Sequence, residues 1–521
     1  MEDKDDLILR MEHITKIYDN GFVANNDINF SVKRGEIHGL VGENGAGKTT
    51  LMKVLFGQEM PEKGDIFING EKVKIKNPLD ALGYGIGMVH QHFMLVNNLT
   101  VLDNMVLGDE PTKGILYDRE KAREDVLRVA QQYELPVNPD AVVGDLSVGL
   151  KQRVEILKIL LKGAKLLLLD EPTAVLTPQE TKELFKQLLS LRDKGFSIVF
   201  ISHKLNEVKE ICNRITVLRS GKSIITESID NLSEADISRL MVGHDVEVVH
   251  NVRTIAPGRT VLKIRNLSSV NAEGKYTFRN VNFDIRKSEI IGLAGVEGNG
   301  QSELSDTIAG LLPIQEGDIQ INGKSINKAS IRDIRNMKVS LIHEDRMTYG
   351  VSTEQSIEEN ILADRYYKEP YCKHGIINKQ IEDKDSTQYA DDFMVKRTSI
   401  YSPVRTLSGG NIQKVVAARE CTSNPEFLLA CQPTRGIDIG AAEMIRKKII
   451  QLRDSGVAVL LISADLSELL EVSDSIMVIF EGEIVAFFED AGSVNDQMLG
   501  EYMLGLKKQT SEELGGLIHE S

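Results

Sequence analysis

The sequence predicts an α/β protein built from two tandem copies of one domain, each with a mostly parallel sheet. Three observations predict it. "NDINFSVKRGEIHGLVGENGAGKTT" (26–50) matches "RNVNFDIRKSEIIGLAGVEGNGQSE" (279–303) without a gap at an offset of 253, the mark of an internal repeat. Short β-branched runs alternate with amphipathic stretches in each half, as a strand–helix–strand chain does. And "GENGAGKT" (42–49) fits G-x-x-x-x-G-K-[ST] after a strand-like run and before a helix-like one, the context that gives the motif meaning.

In chain order, "IHGLVG" reads as a strand, then a glycine-rich loop, then the helix "KTTLMKVLF". "KLLLLD" and "FSIVFIS" read as buried strands. The helix between them, "TPQETKELFKQLLSLRDKG", opens with Thr177 as N-cap, Pro178 at the first helical position and Glu180 completing a capping box. "LSVGLKQRV" (146–154) recurs as "LSGGNIQKV" (407–415), and "FISHKLNEV" (200–208) as "LISADLSEL" (461–469), both at an offset of 261. The second half therefore carries eight extra residues between the segments near Gln91 and Ser147. The expected organisation is a first domain 1–243, a connector 244–260 rich in Pro, Gly and mixed polarity, a second domain 261–490 and a tail 491–521. Residues 486–521 read as one short helix and a loose end.

At 521 residues the chain is too long for one ordinary domain. With 62 basic against 77 acidic residues it carries a formal charge of −15, so bulk charge does not suit it to nucleic acid. The acidic start "MEDKDDLILR" has no signal-peptide pattern. The longest apolar runs, such as "VAVLLI" (457–462), fall far short of the ~20 residues a spanning helix needs. Four cysteines without a C-x-x-C pair read as reduced thiols. The expectation is a soluble intracellular chain that meets a membrane only through a partner.

The chemistry of the first half starts at its glycine-rich loop. Gly42, Asn44, Gly45 and Gly47 let backbone N–H groups turn toward phosphate oxygens at a helix N-terminus. Lys48 would reach the β- and γ-phosphates, and the Thr49 hydroxyl, followed by Thr50, would hold Mg²⁺. Asp170 ends a buried strand, where it can reach the metal; Glu171 follows and can polarise an attacking water. Ser147 and Gly149 open an amphipathic helix suited either to an anion or to ordinary capping. His203 follows a strand, where a lone histidine is more often structural.

Together, in order and over the whole half, these segments resemble an ABC-type ATPase domain. The resemblance implies a parallel-sheet core with a helical signature subdomain, and ATP and Mg²⁺ as cofactors. It makes Tyr18 the aromatic that stacks on adenine, and Lys48 and Thr49 part of Walker A. Gln91 becomes the Q-loop glutamine, Ser147 and Gly149 lie in the signature, and Asp170 and Glu171 lie in Walker B. His203 becomes the switch histidine.

The second half departs from that pattern at corresponding positions. Tyr18 becomes Asn271, Lys48 becomes Gln301, Gln91 becomes Glu344, Asp170 becomes Cys431, Glu171 becomes Gln432 and His203 becomes Ala464. Cysteine is a poor ligand for a hard ion, and glutamine takes no proton. Gly298, Gly300 and Ser302 persist, so a phosphate-cradling backbone could survive. Yet the signature Ser408-Gly409-Gly410 in "LSGGN" is closer to the family's LSGGQ than is "LSVGL". Asp438 occupies the D-loop aspartate position where the first half has Thr177. Relatives of this kind pair head to tail. Sorted by the site each residue would then face, the intact types gather in one site: Tyr18, Lys48, Gln91, Asp170, Glu171 and His203 with Ser408, Gly410 and Asp438. The altered types gather in the other. This implies one hydrolytic and one degenerate site, formed within a chain or between two copies.

The whole chain resembles the fused ATPase subunits of sugar and nucleoside importers, and "GMVHQHFMLV", "LSVGLKQRVEILK" and "QPTRGID" look most like the nucleoside branch. That resemblance implies two integral-membrane permease subunits, an extracytoplasmic substrate-binding lipoprotein, and residence on the cytoplasmic membrane face. Ribose- or galactose-type sugars are the alternative substrate. A soluble twin-cassette translation factor is the alternative of another class, against which stand the short connector and the degraded second site. Phe93, Met94 and Leu95 look exposed and read either as core or as a groove for a permease helix.

Overall fold

The computed structural model describes residues 6–518 apart from 20, 44, 91, 92, 174, 175, 203, 244–250, 254 and 511. The chain divides into two compact units, Met1–Val246 and Glu247–Ser521.

In the first unit the described strands form a six-stranded sheet in the order Lys222–Ser228, Arg214–Arg219, Ile37–Gly42, Ser197–Ile201, Leu166–Asp170, Ile86–Val89. All neighbours run parallel except the edge hairpin of the first two. Strands Ile37–Gly42, Leu166–Asp170 and Ser197–Ile201 are buried along their whole length. This is why they read as continuous apolar runs. A second, antiparallel sheet holds Leu7–Ile17, Val23–Lys33, Lys63–Ile68 and Glu71–Val73. That sheet is absent from the sequence-based expectation. Its strands alternate buried and exposed residues, because one face covers a core of Leu9, Met11, Phe30, Leu40, Leu51 and Leu168 while the other meets solvent.

The second unit repeats both sheets, with the parallel one ordered Val339–Ile342, Phe427–Cys431, Ala458–Ile462, Glu289–Ala294, Ser475–Phe480, Glu483–Phe488. Comparing element starts splits the eight extra residues. Three fall between the strand Val339–Ile342 and the helix Ile357–Leu362, four before the helix Lys379–Asp392 and one before the helix Gly409–Thr422.

Two expectations at the margins are corrected. The described end of the connector is part of the second unit: Asn251 donates to Val472 O and Ser473 O, both at 3.0 Å, and accepts from Arg453 at 2.7 Å. The C-terminal segment is no loose end. After the helix Asp496–Met503, Gln509 N donates to Val485 O at 2.9 Å and its side chain accepts from Phe487 N at 2.7 Å. Leu517 is buried against Phe487. Leu499 and Met503, four residues apart, share the buried face of that helix, and Leu517 is buried beyond it.

Candidate active site

The phosphate loop forms where the central strand Ile37–Gly42 hands over to the helix Lys48–Leu55. Gly45 and Gly47 adopt φ of 82° and 101°, a left-handed backbone that glycine takes without strain. At Gly47 a side chain would also collide with Asn25 and the Ala24 carbonyl. Lys48 is buried and its Nζ donates to Gly42 O at 2.6 Å and Glu43 O at 3.0 Å, folding the amine over the loop. Burial pushes its pKa down, against the pull of Glu171 and Asp170. The Tyr18 hydroxyl lies 3.3 Å from the Thr50 hydroxyl, so the ring stands beside the first turn of this helix.

Asp170 ends its strand in register with Ile201 and is buried. Burial and the adjacent Glu171 push its pKa up to about 6, while Lys48 and the Thr49 hydroxyl pull it down. Glu171 takes φ of 48° and donates its amide to Ile201 O at 3.0 Å. This tight turn brings Lys48, Thr49, Asp170 and Glu171 to the carboxyl ends of the parallel strands, where open α/β sheets bind ligands. The Thr49 hydroxyl and the Asp170 carboxylate are hard oxygen donors and fit a magnesium ion carried on phosphate. Asn44, Gln91 and His203 lie outside the described residues.

The second unit keeps the shape of this corner and lacks its charges. Gly298 and Gly300 adopt φ of 90° and 100°. Gln301 is buried and donates to Val296 O at 3.1 Å, tracing the fold-back of Lys48 with a neutral amide. Ser302 donates to Glu344 at 2.7 Å, so a carboxylate stands against the loop where phosphate would lie. Gln432 takes φ of 49° and accepts from Ala464 N at 3.2 Å. Burial pushes the Cys431 thiol up to about 12, leaving it a small inert core residue. Asn271 forms a tight turn with Lys275.

The signature segments differ in how their helices begin. Ser147 caps the helix Val148–Leu161 by accepting from Leu150 N at 3.4 Å, and Glu180 accepts from Gly149 N at 3.2 Å. Ser408 makes no such cap on the helix Gly409–Thr422, its hydroxyl accepting from Asn411 Nδ2 at 2.9 Å. Thr177 and Asp438 are both helix N-caps: Thr177 and Glu180 complete a capping box, and Asp438 accepts from Ala441 N at 2.8 Å.

Among the residues that follow Gln91 and His92 in sequence, Phe93 and Leu95 are half-buried and Met94 is exposed. The backbone here is pinned: Met94 N donates to Glu155 at 2.6 Å and Val96 N to Asn104 at 2.7 Å. Sequence reasoning missed two residues near the signatures. Glu180 reads only as a cap, because Gly149 is remote in sequence. Arg346 lies in the wide turn Arg346–Gly350, within the stretch where the second half is three residues longer; that length difference was the available signal.

Among the described residues no helix is long and apolar enough to cross a membrane. The ABC transporter family matches residues 25–174 and 278–435. The chain is 45% identical to the guanosine import ATP-binding protein NupO of Bacillus subtilis, over 96% of each chain. It is 42% identical to the nucleoside import ATP-binding protein NupA of Lactococcus lactis, over 96% of this chain and 98% of that one. It is also 41% identical to a glucose import ATP-binding protein of Haloferax volcanii, over 92% of each.

Proposed function

Because the chain belongs to the ABC transporter family and matches it twice, once in each half, we propose that it energises the import of nucleosides, with each of its two compact units as one ATP-binding cassette. The observation that carries this reading is the near-full-length likeness to guanosine and nucleoside import ATP-binding proteins. A sugar importer is the second reading, favoured by the likeness to a glucose import protein.

In this reading Lys48 and the loop amides bind the phosphates and Tyr18 stacks on adenine. Thr49, Gln91 and Asp170 hold Mg²⁺, which neutralises phosphate charge when bound. Glu171 accepts a proton from the attacking water, with His203 beside the terminal phosphate. The intact signature Ser408, Gly409 and Gly410, with Asp438, serves that same nucleotide. Gln301, Glu344, Cys431, Gln432 and Ala464, with Ser147 and Gly149, belong to the degenerate site. The uncapped helix start at Gly409 supports the first assignment, and the carboxylate of Glu344 on Ser302 supports the second. The chain works at the cytoplasmic membrane face with two permease subunits and a substrate-binding lipoprotein.

The test is uptake into vesicles holding the complete transporter, offered guanosine and ribose in parallel. ATP-driven guanosine uptake is expected. Glu171→Gln removes about 10²–10⁴-fold of turnover, whereas Cys431→Asp with Gln432→Glu does not raise it while Gln301 remains. Ribose uptake without guanosine uptake selects the sugar reading.

A further inference from the structure

Beside the first phosphate loop stands a buried cation. Lys16 lies in the strand Leu7–Ile17 and is only 9% exposed. Its Nζ donates to Met60 O at 2.9 Å and lies 3.2 Å from Glu59 and 3.4 Å from Glu62. The same amine stands over the Tyr18 ring, 5.6 Å from its centroid. At the tip of that ring the hydroxyl meets the Thr50 hydroxyl, 3.3 Å away. The ring is thus held at a face by a cation and at its end by the loop helix.

The second unit shows that the fold does not need this arrangement. There the strand Thr260–Val270 takes the same place in its sheet. Lys16 becomes Ser269, Tyr18 becomes Asn271, Thr50 becomes Glu303 and Glu59 becomes Leu312. The backbone tie at the strand end is kept: Val270 N donates to Gln315 at 2.8 Å as Ile17 N donates to Glu62 at 2.6 Å. What shapes the strand is therefore common to both units, while the cation, the ring and the hydroxyl are absent together. Burying an ammonium costs free energy even when it is paired, and Ser269 shows that the strand forms without one. The ammonium accompanies the aromatic ring, not the strand.

We propose that Lys16 is a positioning residue for base binding, holding the Tyr18 ring from one face so that the other is presented to adenine. The proposal rests on the reading that Tyr18 stacks on adenine. A cation over a ring is a modest attraction by itself. The larger gain is that a ring already held gives up less rotamer freedom when the base arrives.

The test measures ADP and inorganic tripolyphosphate as competitive inhibitors of ATP hydrolysis by the full chain, since both carry phosphates and only ADP carries a base. Lys16→Met, which keeps the buried stem, is expected to raise the ADP inhibition constant and the KM for ATP about two- to tenfold, with the tripolyphosphate constant and kcat within about twofold. A strut for the phosphate loop would move both inhibitors together. Equal movement of both, or of neither, overturns the proposal. Lys16→Gln repeats the measurement without the charge if Lys16→Met does not fold. Tyr18→Ala separates the two layers. If it leaves the ADP constant unchanged, the stacking reading itself fails. If it raises that constant while Lys16→Met spares it, only the role of Lys16 fails. Lys16→Met added to Tyr18→Ala is expected to have no further effect on ADP, because the two act through one ring.

Discussion

The Gly149 amide donates to the Glu180 carboxylate at 3.2 Å, so the first signature helix is capped by its own unit. The same carboxylate accepts from Thr177 N at 3.1 Å and closes the capping box of the helix Pro178–Asp193. One side chain thus fixes two helix starts. Glu180→Ala is expected to cost about 1 kcal/mol and to speed hydrogen exchange at Gly149 and Thr177 together. Faster exchange at Thr177 alone would mean that Gly149 does not depend on Glu180.

The two phosphate loops offer a matched pair of substitutions. Gly47 and Gly300 share a left-handed backbone, and at each a side chain would collide with a neighbouring carbonyl oxygen, of Ala24 or of Thr277. Each change to Ala costs about 1–3 kcal/mol locally. Gly47→Ala is expected to abolish ATP hydrolysis, whereas Gly300→Ala leaves steady-state turnover within about twofold, because the second loop lacks the lysine that charge stabilisation requires. Turnover lost equally in both would place hydrolysis on both loops.

The segment 93–96 presents Met94 to solvent on a backbone pinned by Glu155 and Asn104. A fixed backbone with an outward apolar side chain suits a docking edge for a permease helix. Met94→Asp, and with it the half-buried Phe93→Asp, is expected to lower transport per ATP hydrolysed while leaving ATP affinity unchanged. Unaltered coupling in reconstituted vesicles would remove the segment from the interface.

Acid stability of the second unit hangs on Glu420. This buried carboxylate accepts from Arg335 at 2.5 and 2.7 Å and from Arg419 at 2.7 Å. Burial alone would raise its pKa, but the two guanidiniums bring it down to about 2. The folded value lies below the unfolded one, so the stabilisation is complete above about pH 4.5 and is lost as pH falls toward 2. Over that window it amounts to about 3 kcal/mol. Glu420→Gln is expected to destabilise the unit by about 3–5 kcal/mol at neutral pH, by stranding the arginines. Denaturant melts at pH 7 and pH 3 check it: the gap between variant and native protein narrows at the lower pH.

The sequence by itself determined the duplication, the parallel core and the corner that holds Lys48, Thr49, Asp170 and Glu171. Each is written locally: a glycine loop must follow a strand, and a buried strand must be an apolar run ended by its functional carboxylate. The losses in the second half were legible for the same reason, because an ungapped repeat aligns residue with residue. Tertiary structure decided what depends on contact between distant segments. Each antiparallel sheet adds to its hairpins one pairing across an intervening strand, loop and helix, Leu7–Ile17 with Lys63–Ile68 and Thr260–Val270 with Glu316–Ile321, and half-buried alternation carries no signal of that distant partner. Glu180 reaches Gly149 and Arg346 lies against Gly409 from segments distant along the chain, and no spacing in the sequence encodes such an approach. The charge at each signature helix was therefore invisible until the fold brought a carboxylate to one and a guanidinium to the other.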